Sequence, residues 1–210
     1  IKDIQRRIFA AMLSNMDDSV GAILKKLRAK NLEENTLIFF LSDNGGPTRE
    51  LTSSNAPLRE GKGTVYEGGV RVPFLMQWSG TVPKGQTYDK PVISLDLFAT
   101  STALAKAEVK RPLDGVNIIP YLTGQKKGIP HQTLYWRLGN RTAIRHGDWK
   151  LLRNPKRGKK SAWELYNLSE DVSEEKDLAT IRTDKVDELL AQWEKLNSKM
   201  IDPIWQPNRK

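Results

Sequence analysis

Two short stretches of the chain carry side chains that can do chemistry. "SDNGGP", Ser42 to Pro47, sets a carboxylate, Asp43, beside an amide, Asn44, and adds two glycines after them. "EGKGTVYEGG", Glu60 to Gly69, holds one ammonium, Lys62, between Gly61 and Gly63. A carboxylate and an amide carbonyl are the oxygen ligands that a hard divalent cation takes. Glycines on either side of a lysine let the backbone approach a ligand closely while the ammonium acts as a compact point charge. The second stretch is not a Walker A loop, because Ala56 stands where the first glycine of that motif belongs.

Asn-Gly is also the strongest short hairpin signal, so "SDNGGP" has a purely structural alternative. A hairpin needs an alternating partner strand directly after the turn. The chain continues instead into the long polar run "PTRELTSSNAPLREGKG". Long ordered loops tend to be functional. Thr48 and Arg49, just past the two oxygen ligands, are candidate substrate contacts. Tyr66, Glu67 and Arg71 are further polar residues close to Lys62 in the chain.

The elements that must hold these residues read as α/β in the first part of the chain. Residues 1 to 30 form an amphipathic helix, with Ile4, Ile8, Met12, Met16, Val20, Ile23, Leu24 and Leu27 at three- and four-residue spacing. Asp17 and Asp18 point about 100° apart on it and cannot converge on one atom; one is expected to be exposed and the other to make a structural hydrogen bond. Thr36 to Leu41 is apolar without alternation, the pattern of a strand covered on both faces in a parallel sheet. Ligands of such sheets sit beyond the carboxyl ends of the strands, where Ser42 to Gly46 falls. Val70 to Trp78, interrupted by Pro73, reads as an edge or bulged strand. Ser94 to Ala105 reads as a short helix capped by Ser94.

Past "LDGVNIIPYLTGQKKGIP" the grammar changes. "TLYWRL", "RTAIRHG", "DWKLLR" and "WELYNL" are short strand-like runs separated by turn residues, an antiparallel meander. Lys185 to Met200 closes the chain as an amphipathic helix, and Trp136, Trp149, Trp163 and Trp193 are available for a core. The expected organisation is an α/β portion over residues 1–128 and a small α+β subdomain over residues 129–210.

Composition narrows the chemistry. The 210 residues contain no cysteine, which excludes disulfides, thiolate metal sites and a cysteine nucleophile among them. No apolar run is long enough to cross a membrane. The net charge of +9 is concentrated: between Gln125 and Lys160 eleven Lys and Arg face one acid, Asp148. A local basic field of that kind attracts polyanions, or else is a solvated face. His131 and His146 lie in or beside the meander and are expected at the surface or as support for other groups. Asn140-Arg-Thr142 and Asn167-Leu-Ser169 are sequons, which matter only in a eukaryotic secretory setting. Ile1 is not an initiator Met, and the chain opens inside a helical pattern, so an upstream portion is expected.

Taken in order, "ENTLIFFLSDNGGP", "PLREGKGTVYEGGVRVPFLMQWSG", "LDGVNIIPYLTG", "AIRHGDWKLL" and "WELYNLSEDVSEEKDLA" resemble the C-terminal half of a type I sulfatase of the alkaline-phosphatase-like superfamily. The resemblance covers essentially the whole chain. It implies an alkaline-phosphatase-like mixed sheet sandwiched by helices, followed by a small C-terminal antiparallel sheet with a packing helix. It also implies sulfate ester hydrolysis, by a formylglycine made from the Cys or Ser of a C/S-x-P-S-R motif, with a calcium ion polarising the sulfate. By the resemblance Asp43 and Asn44 are calcium ligands, Lys62 contacts the sulfate and the leaving oxygen, and the stretch from Tyr66 to Arg71 leads the chain back into the sheet, with a structural pairing of Glu67 and Arg71.

The chain contains no C-x-P-S-R motif and no "PSR" triplet. The resemblance therefore places the formylglycine in an N-terminal portion, leaves the calcium site incomplete in this chain and predicts the chain alone to be inactive. The expected substrate is a sulfated small molecule or polysaccharide. The missing portion, or self-association, is expected to cover an exposed sheet edge; no nucleic acid is expected. By resemblance the setting is periplasmic, secreted or lysosomal. Two alternatives stand beside this reading: a phosphomonoester or phosphonate hydrolase of the same superfamily, and a non-catalytic polyanion-binding module.

Overall fold

A computed structural model describes residues 1–48, 53–155 and 161–202. The chain divides into two compact units that do not keep to chain order: residues 1–42 with 73–132, and residues 43–72 with 133–210. The long loop carrying both chemical motifs thus packs with the C-terminal meander, a grouping that a cut in chain order at residue 128 does not express.

The first unit contains helix α1 (Ile4–Ala29), strands β1 (Ile38–Leu41) and β2 (Phe74–Gln77), and helices α3 (Leu95–Leu104) and α4 (Ile119–Leu122); the short helix α2 (Glu67–Val70) belongs to the second. Asp3 caps α1 by accepting a hydrogen bond from the Arg6 N–H at 2.7 Å. The helix buries none of its residues: Ile8 is 55% and Met12 65% exposed. Asp17 and Asp18 are both exposed, so neither has the structural role expected of one of them.

Strand β1 pairs with β2 in antiparallel register, Ile38 opposite Gln77 and Leu41 opposite Phe74. This corrects the expectation of a parallel neighbour. A continuous apolar run reports burial on both faces, not strand direction. Within this chain even that burial is partial, with Phe40 and Leu75 among the exposed large apolar side chains.

Ser94 does not cap α3. Its backbone is already helical and its side chain makes no capping bond. The buried Asp96, in the first turn, instead ties the helix to the chain around it, accepting from the Ile93 N–H at 2.9 Å and from the Val116 N–H at 2.8 Å. His131 Nε2 lies 2.8 Å from the same carboxylate with its side chain 8% exposed, so it is an internal tie and not a surface residue.

In the second unit β3 (Thr133–Leu138), β4 (Arg141–His146), β5 (Trp149–Arg153) and β6 (Glu164–Asn167) form one antiparallel sheet in sequential order. Side chains alternate across a strand, so each strand serves two faces. Ala143, Leu152 and Tyr166 point to one face and pack with Val65, Tyr66 and Leu168. Ile144, Leu151 and Leu165 point to the other and pack with Leu189, Trp149, Trp163 and Trp193. Leu189 and Trp193 belong to helix α5 (Thr183–Asn197). One face of the meander is therefore covered by α5 and the other by the loop that carries Lys62. No helix among the described residues is long and apolar enough to cross a membrane.

Candidate functional site

The glycines explain how the two motifs come together. The Gly45 N–H donates to the Gly69 carbonyl at 3.0 Å, and the Lys62 N–H donates to the Gly46 carbonyl at 3.3 Å. A Cβ on Gly45 would stand 1.6 Å from the Gly68 carbonyl oxygen, and one on Gly61 would stand 2.3 Å from the Gly46 oxygen. No side chain fits at either contact. "DNGG" and "GKG…EGG" are thus two pieces of backbone laid directly on each other, which only glycine permits.

Asn55 fastens them. Its Oδ1 accepts from the Gly46 N–H at 2.9 Å, while its Nδ2 donates to the carbonyls of Gly46 and Glu60, each at 2.9 Å. One amide therefore clamps the "DNGG" turn to the residue before Gly61. Sequence patterns do not point to Asn55, because its partners lie nine residues back and five ahead. Glu60 itself sits at a φ of 60°, a left-handed conformation that costs a non-glycine residue free energy and is tolerated where the surroundings fix it.

The expected ligands take different positions on this backbone frame. Asp43 exposes its carboxylate, Asn44 is half-buried, and Lys62 exposes its ammonium. Thr48 is exposed, and Arg49 lies outside the described residues. Among the described residues no group of three or more His, Asp or Glu could hold a metal ion. The donors present nonetheless suit a hard cation in kind, an accessible carboxylate beside an amide carbonyl. They fall short in number, since calcium takes 6–8 oxygens.

The other polar residues of the loop face inward. Glu67 is buried and its nearest partner is Lys150, with Nζ 2.8 Å from Oε1; Arg71 is a secondary partner at 3.8 Å. The expected Glu67–Arg71 pair is present, but it is the weaker of the two contacts. The Tyr66 hydroxyl donates to Glu164, with 2.8 Å to Oε2, and the Tyr166 hydroxyl donates to the same oxygen at 2.6 Å. Burial, then the Glu164 carboxylate, pushes both phenols well above the ordinary tyrosine range. The Arg59 guanidinium lies 4.1 Å over the Tyr66 ring and donates to the Tyr166 hydroxyl at 2.9 Å.

The basic stretch of residues 125–160 is not a uniform solvated face. Lys150 is fully buried, Arg137 donates to Asn197 Oδ1 at 2.8 Å, and Arg141 donates to the Gly63 carbonyl. Arg153 lies 5.1 Å over the Trp163 ring. Lys156, Arg157, Lys159 and Lys160 lie outside the described residues.

Comparison with known proteins places this frame. A family profile described as Sulfatase matches residues 5–107, and one described as N-sulphoglucosamine sulphohydrolase, C-terminal, matches residues 61–202. Steryl-sulfatase of Homo sapiens is 34% identical over 140 residues, which is 62% of this chain and 24% of that protein. Arylsulfatase A of Bos taurus is 40% identical over 131 residues, 61% of this chain and 25% of that protein. The crystal structure of Ps i-CgsB in complex with k-i-k-neocarrahexaose is 34% identical with a TM-score of 0.86, covering 98% of this chain and 46% of that one. The chain thus spans about a quarter of the length of these curated relatives.

Proposed function

The chain belongs to the sulfatase family, and on that premise we propose that the full-length protein hydrolyses sulfate esters of a sulfated sugar or glycan. The observation that carries the reading is the backbone contact of the two glycine-bearing motifs. It sets the turn that exposes the Asp43 carboxylate against the turn that exposes the Lys62 ammonium. A carboxylate that can hold a cation and an ammonium, carried on adjoining turns, suit an anionic ester that is bound through both a cation and a direct positive charge.

In this reading Asp43 and Asn44 supply two oxygens to a calcium ion, whose remaining ligands lie outside these residues. Bound there, the ion would polarise the sulfate oxygens. Lys62 holds its positive charge where the ester oxygen departs and stabilises the negative charge that develops on it. Thr48 and Arg49, next along the chain, contact the sugar. The formylglycine nucleophile belongs to the N-terminal portion of the full-length protein. Neocarrahexaose bound to a chain 34% identical supports a glycan as the substrate class.

The test uses the full-length protein with an aryl sulfate and, in parallel, an aryl phosphonate and an aryl phosphate. The expected result is preferential sulfate turnover that falls by about a hundredfold or more in Lys62→Ala. In Asp43→Ala, both turnover and bound calcium fall. Preferential phosphonate or phosphate turnover overturns the substrate assignment. Wild-type calcium content in Asp43→Ala overturns the ligand assignment.

A further inference from the structure

Lys150, Glu67 and Glu174 form an ionic triad sealed from water, with every member 2% exposed or less. Lys150 Nζ is 2.8 Å from Glu67 Oε1 and 2.9 Å from Glu174 Oε1. Both carboxylates thus lie within ion-pair distance of the one ammonium. The other Glu174 oxygen, Oε2, accepts from the Glu67 N–H at 2.7 Å. The three residues come from β5, from the start of α2 beyond the Lys62 turn, and from the segment after β6.

Such a triad is a weak source of stability. Withdrawing three charges from water costs free energy that their attraction only partly returns, and apolar replacements of similar volume often do as well. This one also holds two carboxylates against one ammonium. Burial accordingly raises the Glu174 pKa against the opposing pull of Lys150. Glu174 further sits at a φ of 53°, held there while Arg59 Nη1 donates to its carbonyl at 2.6 Å. An arrangement that is costly in charge and in backbone conformation is one that fixes geometry.

What it fixes is the base of the Lys62 turn. Glu67 lies five residues beyond Lys62 and is gripped at both its backbone N–H and its carboxylate. Between them, Arg141 of β4 donates to the Gly63 carbonyl and the Tyr66 hydroxyl donates to Glu164 of β6. The Thr64 N–H closes the turn on the Gly61 carbonyl at 3.1 Å. Arg141, Glu164, Lys150 and Glu174 all come from the meander or its flank, and the exposed Lys62 is the part left facing solvent.

We infer that Lys150 and Glu174 are positioning residues for Lys62: the buried triad seats the Glu60–Val70 loop on the meander and so fixes where the sulfate-binding ammonium stands. The role in catalysis rests on the sulfatase reading of this site; the seating of the loop does not.

Two readouts on the full-length protein separate these. Hydrogen exchange tracks the amides of Lys62, Gly68 and Gly69, each of which donates a hydrogen bond within the frame. In Lys150→Met they are expected to exchange about tenfold faster or more, because the loop opens locally. Leu165→Ala, which loosens the opposite face of the same sheet, is expected to leave them within about threefold of wild type. Aryl sulfate turnover gives the second readout. The kcat of Lys150→Met falls by about tenfold or more through misplacement of Lys62, whereas that of Leu165→Ala is unchanged at temperatures well below its melting point.

If Lys150→Met does not fold, Glu174→Gln replaces it. That variant keeps an acceptor for the Glu67 N–H while withdrawing one charge from Lys150, and the same amides are expected to speed up by about threefold or more. Wild-type exchange at these amides in the folded variants overturns the seating, as does equal acceleration in Leu165→Ala. Faster exchange in a protein that turns over no sulfate leaves the seating standing and overturns the catalytic reading alone.

Discussion

Gly45→Ala is the sharpest perturbation of the proposed site that leaves every chemical group in place. The added methyl carbon would stand 1.6 Å from the Gly68 carbonyl oxygen, while real Cβ contacts essentially never fall below 3.0 Å. The two backbones must therefore part by about 1.4 Å. The obstacle is backbone on both sides, so no rotamer change relieves it. Separation of that size stretches the Gly45 N–H to Gly69 carbonyl bond, now 3.0 Å, beyond hydrogen-bonding range. Losing that bond costs about 1 kcal/mol, and overpacking costs a further 1–3 kcal/mol, roughly. The full-length variant should thus be less stable by about 2–4 kcal/mol. Its Asp43 and Asn44 would move by about an ångström relative to Lys62, enough for a loss on the order of a hundredfold in kcat/KM. Thermal unfolding and aryl sulfate kinetics on purified full-length Gly45→Ala test both figures. Wild-type melting and wild-type kcat/KM together would refute the claim that the two motifs touch backbone to backbone.

Asn55→Ala removes three hydrogen bonds from the same frame; a loss of about 2–3 kcal/mol in urea unfolding is expected, with calcium affinity weakened as the "DNGG" turn loosens. Leu165→Ala empties a fully buried position beneath α5 and should cost about 2–5 kcal/mol by thermal melting. Glu174 has a raised pKa in the fold, so its contribution is fully present below its unfolded pKa and is lost as pH rises through the folded value; the melting temperature of wild type relative to Glu174→Gln should therefore decline from acid toward neutral pH, and a rise would contradict the burial argument. The 210-residue chain expressed alone, with the apolar stripe of α1 exposed, is expected to elute above its monomer mass of 23.8 kDa in size-exclusion chromatography and to show no aryl sulfate turnover.

The two glycine-bearing motifs whose backbones meet were legible in the sequence because each is a local pattern, carried by residues close together in the chain. The meander was equally legible: its four runs are short, bounded by turn residues and paired to their neighbours, so local grammar suffices. Three things were not. The direction of β1 was hidden because its apolar run reports burial alone. Lys150 looked like one more member of a basic face, since nothing adjacent in the chain reveals that its carboxylates arrive from 83 residues upstream and from the far side of β6. Asn55 carried no signal for the same reason. Charge counted along the chain averages over groups that the fold sorts into solvent and interior, and the sorting depends on contacts of long range.

The discontinuity of the second unit has a consequence for how the protein is made. Residues 43–72 leave the ribosome well before residues 133–210, on which they pack. The bond from the Glu67 N–H to Glu174 spans 107 residues, and that from Arg59 to Tyr166 spans the same distance. At synthesis rates of about 5–20 residues per second, Glu67 waits on the order of 5–20 seconds for its partner. Throughout that interval the buried faces of Val65 and Tyr66 are exposed, and the glycine-rich turns have no seat. A stop codon between Lys62 and β6 would release a chain that carries Asp43, Asn44 and Lys62 but lacks β6 and the segment after it, on which their loop packs. Synthesis from Glu164 onward is therefore what supplies the partners of Tyr66, Arg59 and Glu67 that seat this loop.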